Sequence, residues 1–397
     1  MQSITSDRSA AWAIFGVFFF ESAVIGQWIP RIPDIKDALA LSDSQLGLAL
    51  LSMPVGTLIG FAIAGRVIHV IGLRTACRIF LPLWAVIFIL PGLAQSLYHL
   101  MAALLVSGLS VGLIETAMNT EAARIEKARQ KRLMSRCHGF WSLGTMLGAL
   151  TGGMIAQLGV SVALHFLIVM PLIAMAGFIV ASRLPALAVD DEASPQADMH
   201  NKKLFTFPHK SILLLCIMPL GIMMVEGAFI DWSAVFMRDV MAASPLIIGI
   251  TYAFFSSVMA LTRLSGDYIT ARFGELKVIY ASALAATVGV ALFALAPGIV
   301  WVFIGAAISG AGVAIVFPLA VTAAANRPGR SAADNVAALN MIAFSAFLIA
   351  PPLIGFLSEA IGLRYALLSL APLAFLTFVL AAEADPQAQA EKALKPL

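Results

Sequence analysis

Glu115, Thr116 and Asn119 lie in the run GLIETAMNT, directly after fifteen mostly apolar residues, LYHLMAALLVSGLSV. In a helix, Glu115 and Asn119 share a face and Thr116 lies beside them. A carboxylate, an amide and a hydroxyl on one stripe cannot face lipid, because an acid at mid-membrane costs about 2.5–3.5 kcal/mol on insertion scales. They must face another helix or a wet cavity. A carboxyl group that is alternately dried and hydrated changes its hold on a proton. Proton transfer is therefore one chemistry open to Glu115, and binding of a polar solute is another. The plainest alternative is a buried hydrogen-bond network that only fixes packing. Glu21 and Glu226 stand in similarly apolar runs and are read the same way. Asp231 follows Glu226 by five residues and so sits on another face.

A second stripe is formed by His138, Trp141, Ser142 and Thr145, spaced i, i+3, i+4 and i+7. An indole and an imidazole there could stack on a ring-shaped solute, or simply pack between helices. Trp28 lies on the side of its helix that carries Glu21 and Ile25, and Asn340, Phe344 and Phe347 form a comparable stripe further on. Gly144, Gly148, Gly152 and Gly153 follow Trp141, and such spacing permits close helix packing. Arg263 and Asp267 are four apart and are expected to form a structural ion pair.

The elements that must position these residues are set by composition. Sixty per cent of the 397 residues are hydrophobic and 12% are charged, against about 25% charged in a soluble domain. Mean hydropathy is +0.94. No water-soluble surface can be covered from this supply, so the chain is expected to be an all-α, multi-pass membrane protein embedded in a lipid bilayer. The net charge of +3 gives no reason to expect a nucleic-acid partner. Three cysteines, Cys77, Cys137 and Cys216, fit no metal spacing and are read as core thiols. No nucleotide loop, dinucleotide fingerprint or His/Cys cluster stands in the chain, so neither an enzyme, a cofactor nor a metal is expected.

A spanning helix needs about 20 apolar residues. Twelve stretches qualify, roughly 10–30, 45–65, 74–94, 97–122, 134–157, 160–182, 210–237, 246–271, 276–296, 299–324, 334–357 and 363–382. The odd connections hold four Lys and Arg residues (Arg31, Lys36, Arg238 and Arg364), while the termini and even connections hold twenty. By the positive-inside rule both termini are expected in the cytoplasm. Glu115 then lies roughly 27 Å along the fourth span and Glu226 roughly 24 Å along the seventh. The polar stretch 184–209 reads as a cytoplasmic linker between two six-helix halves, 1–183 and 210–397.

The halves repeat. Shifted by 202 residues, Ser42 meets Ser244, Gly47 meets Gly249, Gly72 meets Gly274, Ser107-Gly108 meets Ser309-Gly310 and Val111 meets Val313. Asn340 pairs with His138 at the same offset. Parallel six-helix repeats resemble the major facilitator superfamily. That family's loop signature between the second and third helices, Gly-x-x-x-Asp-Arg-x-Gly-Arg-Arg, is similar to GRVIHVIGLR, which supplies Gly65, Gly72 and Arg74, with His69 and Val70 in place of Asp-Arg. The copy DYITARFGEL supplies Arg272 and Gly274. The resemblance implies twelve helices around a central cavity.

A closer likeness comes from IETAMNTEA, which resembles the fourth-helix Glu-Thr-Ala-x-Asn element of the fucose permease and glucose/galactose transporter branch, and from CHGFWSLGT, which is similar to that branch's Gln-Thr-Phe-Asn-Ser-Phe-Gly. Glu115 and Asn119 match outright. His138 stands where a cavity Gln stands, and Trp141 where a sugar-contacting Asn stands. The branch's proton-binding Asp of helix 1 has Trp28 or Ile29 at its place here, with Glu21 about two turns earlier. The resemblance implies a secondary transporter of a small polar or amphipathic solute. Proton coupling would run through Glu115, Glu226 and Glu21, and a cavity would include Asn119, His138, Trp141, Trp28, Asn340 and Phe344. Sugar-like uptake follows from the helix-four element. Export of an amphipathic compound in exchange for protons, or a non-transporting sensor on the same fold, are the alternatives. The expected setting is a bacterial inner membrane, and the expected state a monomer.

Overall fold

Four helices begin where a serine side chain satisfies a free amide group. Ser42 and Gln45 form a reciprocal cap, each side chain bonding the other's backbone N–H at 3.3 and 3.0 Å. Ser96, Ser161 and Ser331 cap in the simpler way. Between helices the chain reverses at Gly72 and Gly274, whose φ of +80° and +85° a residue with a Cβ rarely adopts. They are the repeat-related pair read from the sequence.

The computed structural model describes residues 4–130, 133–185, 209, 212–327 and 331–385. Among them all regular structure is helical, in twelve rods: α1 Ile4–Trp28, α2 Asp43–Ile71, α3 Leu73–Ile87, α4 Leu97–Arg129, α5 Met134–Gln157, α6 Val162–Ser182, α7 Leu220–Asp231, α8 Pro245–Phe273, α9 Glu275–Ala294, α10 Ile299–Val313, α11 Ala332–Ile361 and α12 Leu370–Leu380. The expected linker 184–209 lies, apart from residues 184, 185 and 209, outside the described residues. Taken with the short turns that adjoin them, eleven of the rods are long and apolar enough to cross a membrane. The rod below that threshold is α5, where His138, Ser142, Thr145 and the glycines dilute the apolar residues.

Four expected single spans are interrupted, rod three after Ile87, where a short turn, Leu90–Leu93, follows. Rod seven starts with a short turn, Leu213–Ile217, before Pro219, which has no N–H to continue the ladder, and ends in a π turn, Phe236–Val240. Rod ten breaks at Ala314-Ile315 and resumes over Val316–Ala325. Rod twelve is preceded by Leu363–Leu368. The first rod continues past Pro30 into a short helix, Ile32–Ala38.

Helices pair backbone to backbone through glycine. A Cβ on Gly108 of α4 would lie 1.9 Å from the Met53 carbonyl oxygen of α2, and one on Gly56 of α2 would lie 2.0 Å from that of Leu105. Without Cβ atoms the rods gain the close dispersion contact that holds helices together in lipid. The first half, α1–α6, meets the second, α7–α12, chiefly through α5 on α8 and α2 on α11. Side-chain bonds gather the connections around 31–44, 157–161, 231–245, 294–299 and 358–364 at one end of the bundle. The other end carries the turns at 71–73 and 273–275. The free thiols Cys77, Cys137 and Cys216 are all buried, as expected of core residues.

Candidate functional site

The glycines of α5 draw it onto α1. A Cβ on Gly144 would meet the Phe19 carbonyl oxygen at 2.2 Å, and one on Gly148 that of Ala23 at 2.6 Å. This closeness sets Trp141 against Glu21. The indole Nε1 donates to Glu21 Oε2 at 2.8 Å, while Trp84 Nε1 of α3 donates to the Glu21 backbone carbonyl at 3.1 Å. Glu21 is 1% exposed. Glu115 of α4 is half-buried and lies within electrostatic reach of Glu21. Its neighbours on the stripe turn back to their own helix: Asn119 Nδ2 donates to the Glu115 backbone oxygen at 2.9 Å, and Thr116 Oγ1 to that of Gly112 at 2.8 Å. Within α4, the side chains of Asn119 and Thr116 therefore bond backbone oxygens and not the Glu115 carboxylate. Among the described residues no protein group donates to the Glu115 carboxylate.

The α5 stripe divides in two. His138 is exposed, its ring 5.5 Å from that of Phe18 and edge-on. Trp141 is half-buried beside it. Ser142 and Thr145 are sealed into the contact between the halves, where the Thr145 and Ser256 hydroxyls meet at 3.0 Å and Ser256 Oγ donates to the Ser142 carbonyl at 2.9 Å. Polar residues four and seven positions from His138 thus fasten α5 to α8.

In the second half the structure corrects one pairing. Arg263 of α8 does not pair with Asp267, which is exposed. Its Nη2 meets Glu226 Oε1 of α7 at 3.0 Å, and its Nε donates to the Ala314 carbonyl at 3.4 Å. Both demands come from the interior. Glu226 needs a counter-ion, and the break in α10 leaves the Ala314 carbonyl without a helical donor. Arg263 also lies within electrostatic reach of His138 across the gap between the halves. Asn340 and Phe344 of α11 are half-buried; Asn340 Oδ1 is buried without a donor among the described residues, and the Phe344 ring lies between those of Phe317 and Phe347 at 5.7 and 5.9 Å.

Trp28 is the second correction. It is 2% exposed, with its ring against Phe88 and Phe166 at 5.6 and 6.5 Å. An apolar ring at the end of α1 is best buried among other rings, on the side of α3 and α6. Two residues escaped the sequence reading. Trp84 holds Glu21 from outside the expected cavity set, and Tyr252 carries a buried hydroxyl with no partner among the described residues. For Tyr252, a lone phenol in an apolar span was the available signal.

The family model of the Major Facilitator Superfamily matches residues 10–347. An uncharacterized MFS-type transporter of Yersinia pestis is 30% identical over 354 residues, 88% of this chain and 89% of that protein. Transporter y4wD of Sinorhizobium fredii is 29% identical over 92% of this chain and 95% of its own length. Membrane protein MosC of Rhizobium meliloti is 27% identical over 88% and 84%. Among solved structures, a D-xylose-proton symporter matches with TM-score 0.71 at 14% identity, over 97% of this chain and 98% of that one. The nucleoside transporter NupG matches with TM-score 0.70 at 14% identity, over 94% and 98%. At such identities these two likenesses concern the fold.

Proposed function

The chain belongs to the Major Facilitator Superfamily and is a multi-pass membrane transporter, and from this we propose that it moves a small polar or amphipathic solute by alternating access, driven by protons. The observation that carries the proton reading is the Glu115 carboxylate of α4, half-buried with no protein donor among the described residues and with Glu21 within electrostatic reach. Two nearby carboxylates are held apart in proton affinity by mutual repulsion. Trp141, bonded to Glu21 and adjacent to exposed His138, would let solute contact and proton occupancy feel one another. One proton crossing 100 mV supplies about 2.3 kcal/mol and one pH unit about 1.36 kcal/mol, enough for several-hundred-fold accumulation. The solute cavity would be lined by Asn119, His138, Trp141, Asn340 and Phe344. A sugar-like solute rests on the resemblance of IETAMNTEA to the fucose permease branch.

Glu115→Gln is the test. The amide keeps shape and hydrogen bonding but cannot titrate near neutral pH. Counterflow in proteoliposomes is expected to survive while uptake driven by a pH gradient is lost. Retained pH-driven uptake would remove Glu115 from the coupling role. Loss of both activities in a folded protein would make it a solute ligand instead. The same substitution at Glu21 and Glu226 identifies the carrier if Glu115 is not it.

The setting we propose is a bacterial inner membrane, with a monomeric chain, both termini cytoplasmic and 184–209 linking the halves inside. Support comes from the twenty-to-four cation asymmetry. A cysteine at exposed Ala360 is expected to react with an impermeant thiol reagent in whole cells, and one at exposed Ala128 is not. The three native thiols are buried and contribute little background. The reverse pattern would invert the topology.

A further inference from the structure

The end of the bundle that carries Lys36 and Arg238 is closed by contacts between the halves, and those contacts come in pairs. Lys36 Nζ of the first half meets Asp239 Oδ2 of the second at 2.6 Å. Arg238 Nη2 of the second half meets Asp37 Oδ2 of the first. Lys36 and Arg238 are 202 residues apart, as are Asp37 and Asp239. The two ion pairs are therefore one contact of the internal repeat, made once in each direction.

The surroundings obey the same offset. Ser44 N donates to Glu359 Oε1 at 3.2 Å, and its repeat partner Leu246 N donates to Gln157 Oε1 at 3.3 Å, Gln157 being the repeat partner of Glu359. A Cβ on Gly47 would meet the Pro351 carbonyl oxygen at 2.6 Å, and one on Gly249 that of Ala149 at 2.4 Å. Ala40 and Ala242, again 202 apart, both adopt a left-handed φ, 49° and 50°, which costs an alanine energy and persists only where surroundings impose it. Two further contacts break the symmetry: Arg238 Nη1 meets Asp34 at 2.5 Å, and Lys36 Nζ meets Asp43 at 2.6 Å. At the opposite end the side-chain bonds among the described residues stay within one half, as from Arg74 to Ser182, Glu126 to Leu133 and Arg327 to Glu383.

We propose that Lys36-Asp37 and Arg238-Asp239 form a reciprocal latch, in which each half lends its cation to the other's aspartate, so that both pairs break together when this end opens. The latch rests on the alternating-access reading, but it is a statement about the closed end alone. Both pairs join the same two halves at the same end, so a rotation that opens this end strains both. The groups are partly exposed, Asp37 by 52% and Asp239 by 35%. Each pair alone is thus weak, shifting the closed-to-open ratio by up to about fivefold, and sensitive to salt.

The test is a distance measurement on the purified full-length protein without solute, using spin labels on cysteines at Ala38 and Ala360, exposed residues on opposite halves of the closed end. The parent protein is expected to show a dominant short distance. Lys36→Gln and Arg238→Gln should each move part of the population to longer distances, and the double variant should move more. Exchanging charges with Lys36→Asp and Asp239→Lys, together with Asp43→Asn to remove the second acid that faces position 36, should restore the short distance. Raising salt should act on the parent as the double variant does. An unchanged distribution in the double variant, or a swap that fails to recover, overturns the latch. Should the labels behave as expected in a protein that accumulates no solute, the transport proposal fails while the latch stands. Should transport be normal while the labels ignore the charges, the latch alone fails.

Discussion

Arg263→Ala is expected to lower the unfolding free energy by about 3–5 kcal/mol, because it strands a carboxylate in the interior. The Arg263 and Glu226 side chains are 19% and 11% exposed, so neither charge has enough water to stand alone. The loss should exceed that of any surface pair in the protein. It also removes the donor at the Ala314 carbonyl, where α10 is broken. Arg263→Met combined with Glu226→Leu is expected to regain most of the loss, since a dry apolar pair has no charge to compensate. A thiol-reactive fluorophore reports unfolding here, because Cys77, Cys137 and Cys216 are buried until the helices part. If Arg263→Ala melts with the parent, water must already reach Glu226, and the ion pair carries no structural load.

Gly108→Ala is expected to cost about 1–3 kcal/mol or more. In an ordinary helix this change would gain about 1 kcal/mol through backbone entropy. Here sterics outweigh propensity: the new Cβ would fall 1.9 Å from the Met53 carbonyl oxygen, and the obstacle is helix backbone, not a movable side chain. The α2 and α4 axes must separate by about 1 Å, losing dispersion along the whole contact. The milder counterpart is Gly310→Ala, whose Cβ would meet the Phe255 carbonyl oxygen at 2.6 Å. Gly298→Ala, with nothing within 4 Å, is expected to be neutral. Equal melting of all three variants would show that the rods slide apart freely at Gly108.

What could be read from the chain alone was what depends on composition along one helix. Twelve apolar runs became twelve rods, and the 202-residue offset that aligned Gly72 with Gly274 reappears as a shared turn geometry. Glu115 was singled out, with Glu21 and Glu226, because its cost in lipid is a local quantity, and of these three it is the one with no protein donor among the described residues. Partners across helices were not legible. The i, i+4 rule offered Arg263 its nearest neighbour in sequence, Asp267, whereas the deeper need of Glu226 on α7 and of the broken α10 won. Both charges lie in apolar spans, so pairing Arg263 with Glu226 could have been weighed on cost alone. Trp28 shares a side with Glu21 on a helical wheel, yet a wheel does not say which neighbour each side meets; Phe88 and Phe166 decided that.

Gly355 packs on Gly47 and Gly153 on Gly249, and this seam between the halves lies near one end of long rods, which makes each half a lever with its fulcrum off centre. Backbone against backbone offers little interlocking to resist a small roll. From Gly47 to the far end of α2 at Ile71 the arm is about 36 Å, so tilting it by about 10° carries that end through about 6 Å, the width of a small solute. A movement too slight to break dispersion at the fulcrum is thus large enough at the tip to admit or shut out cargo.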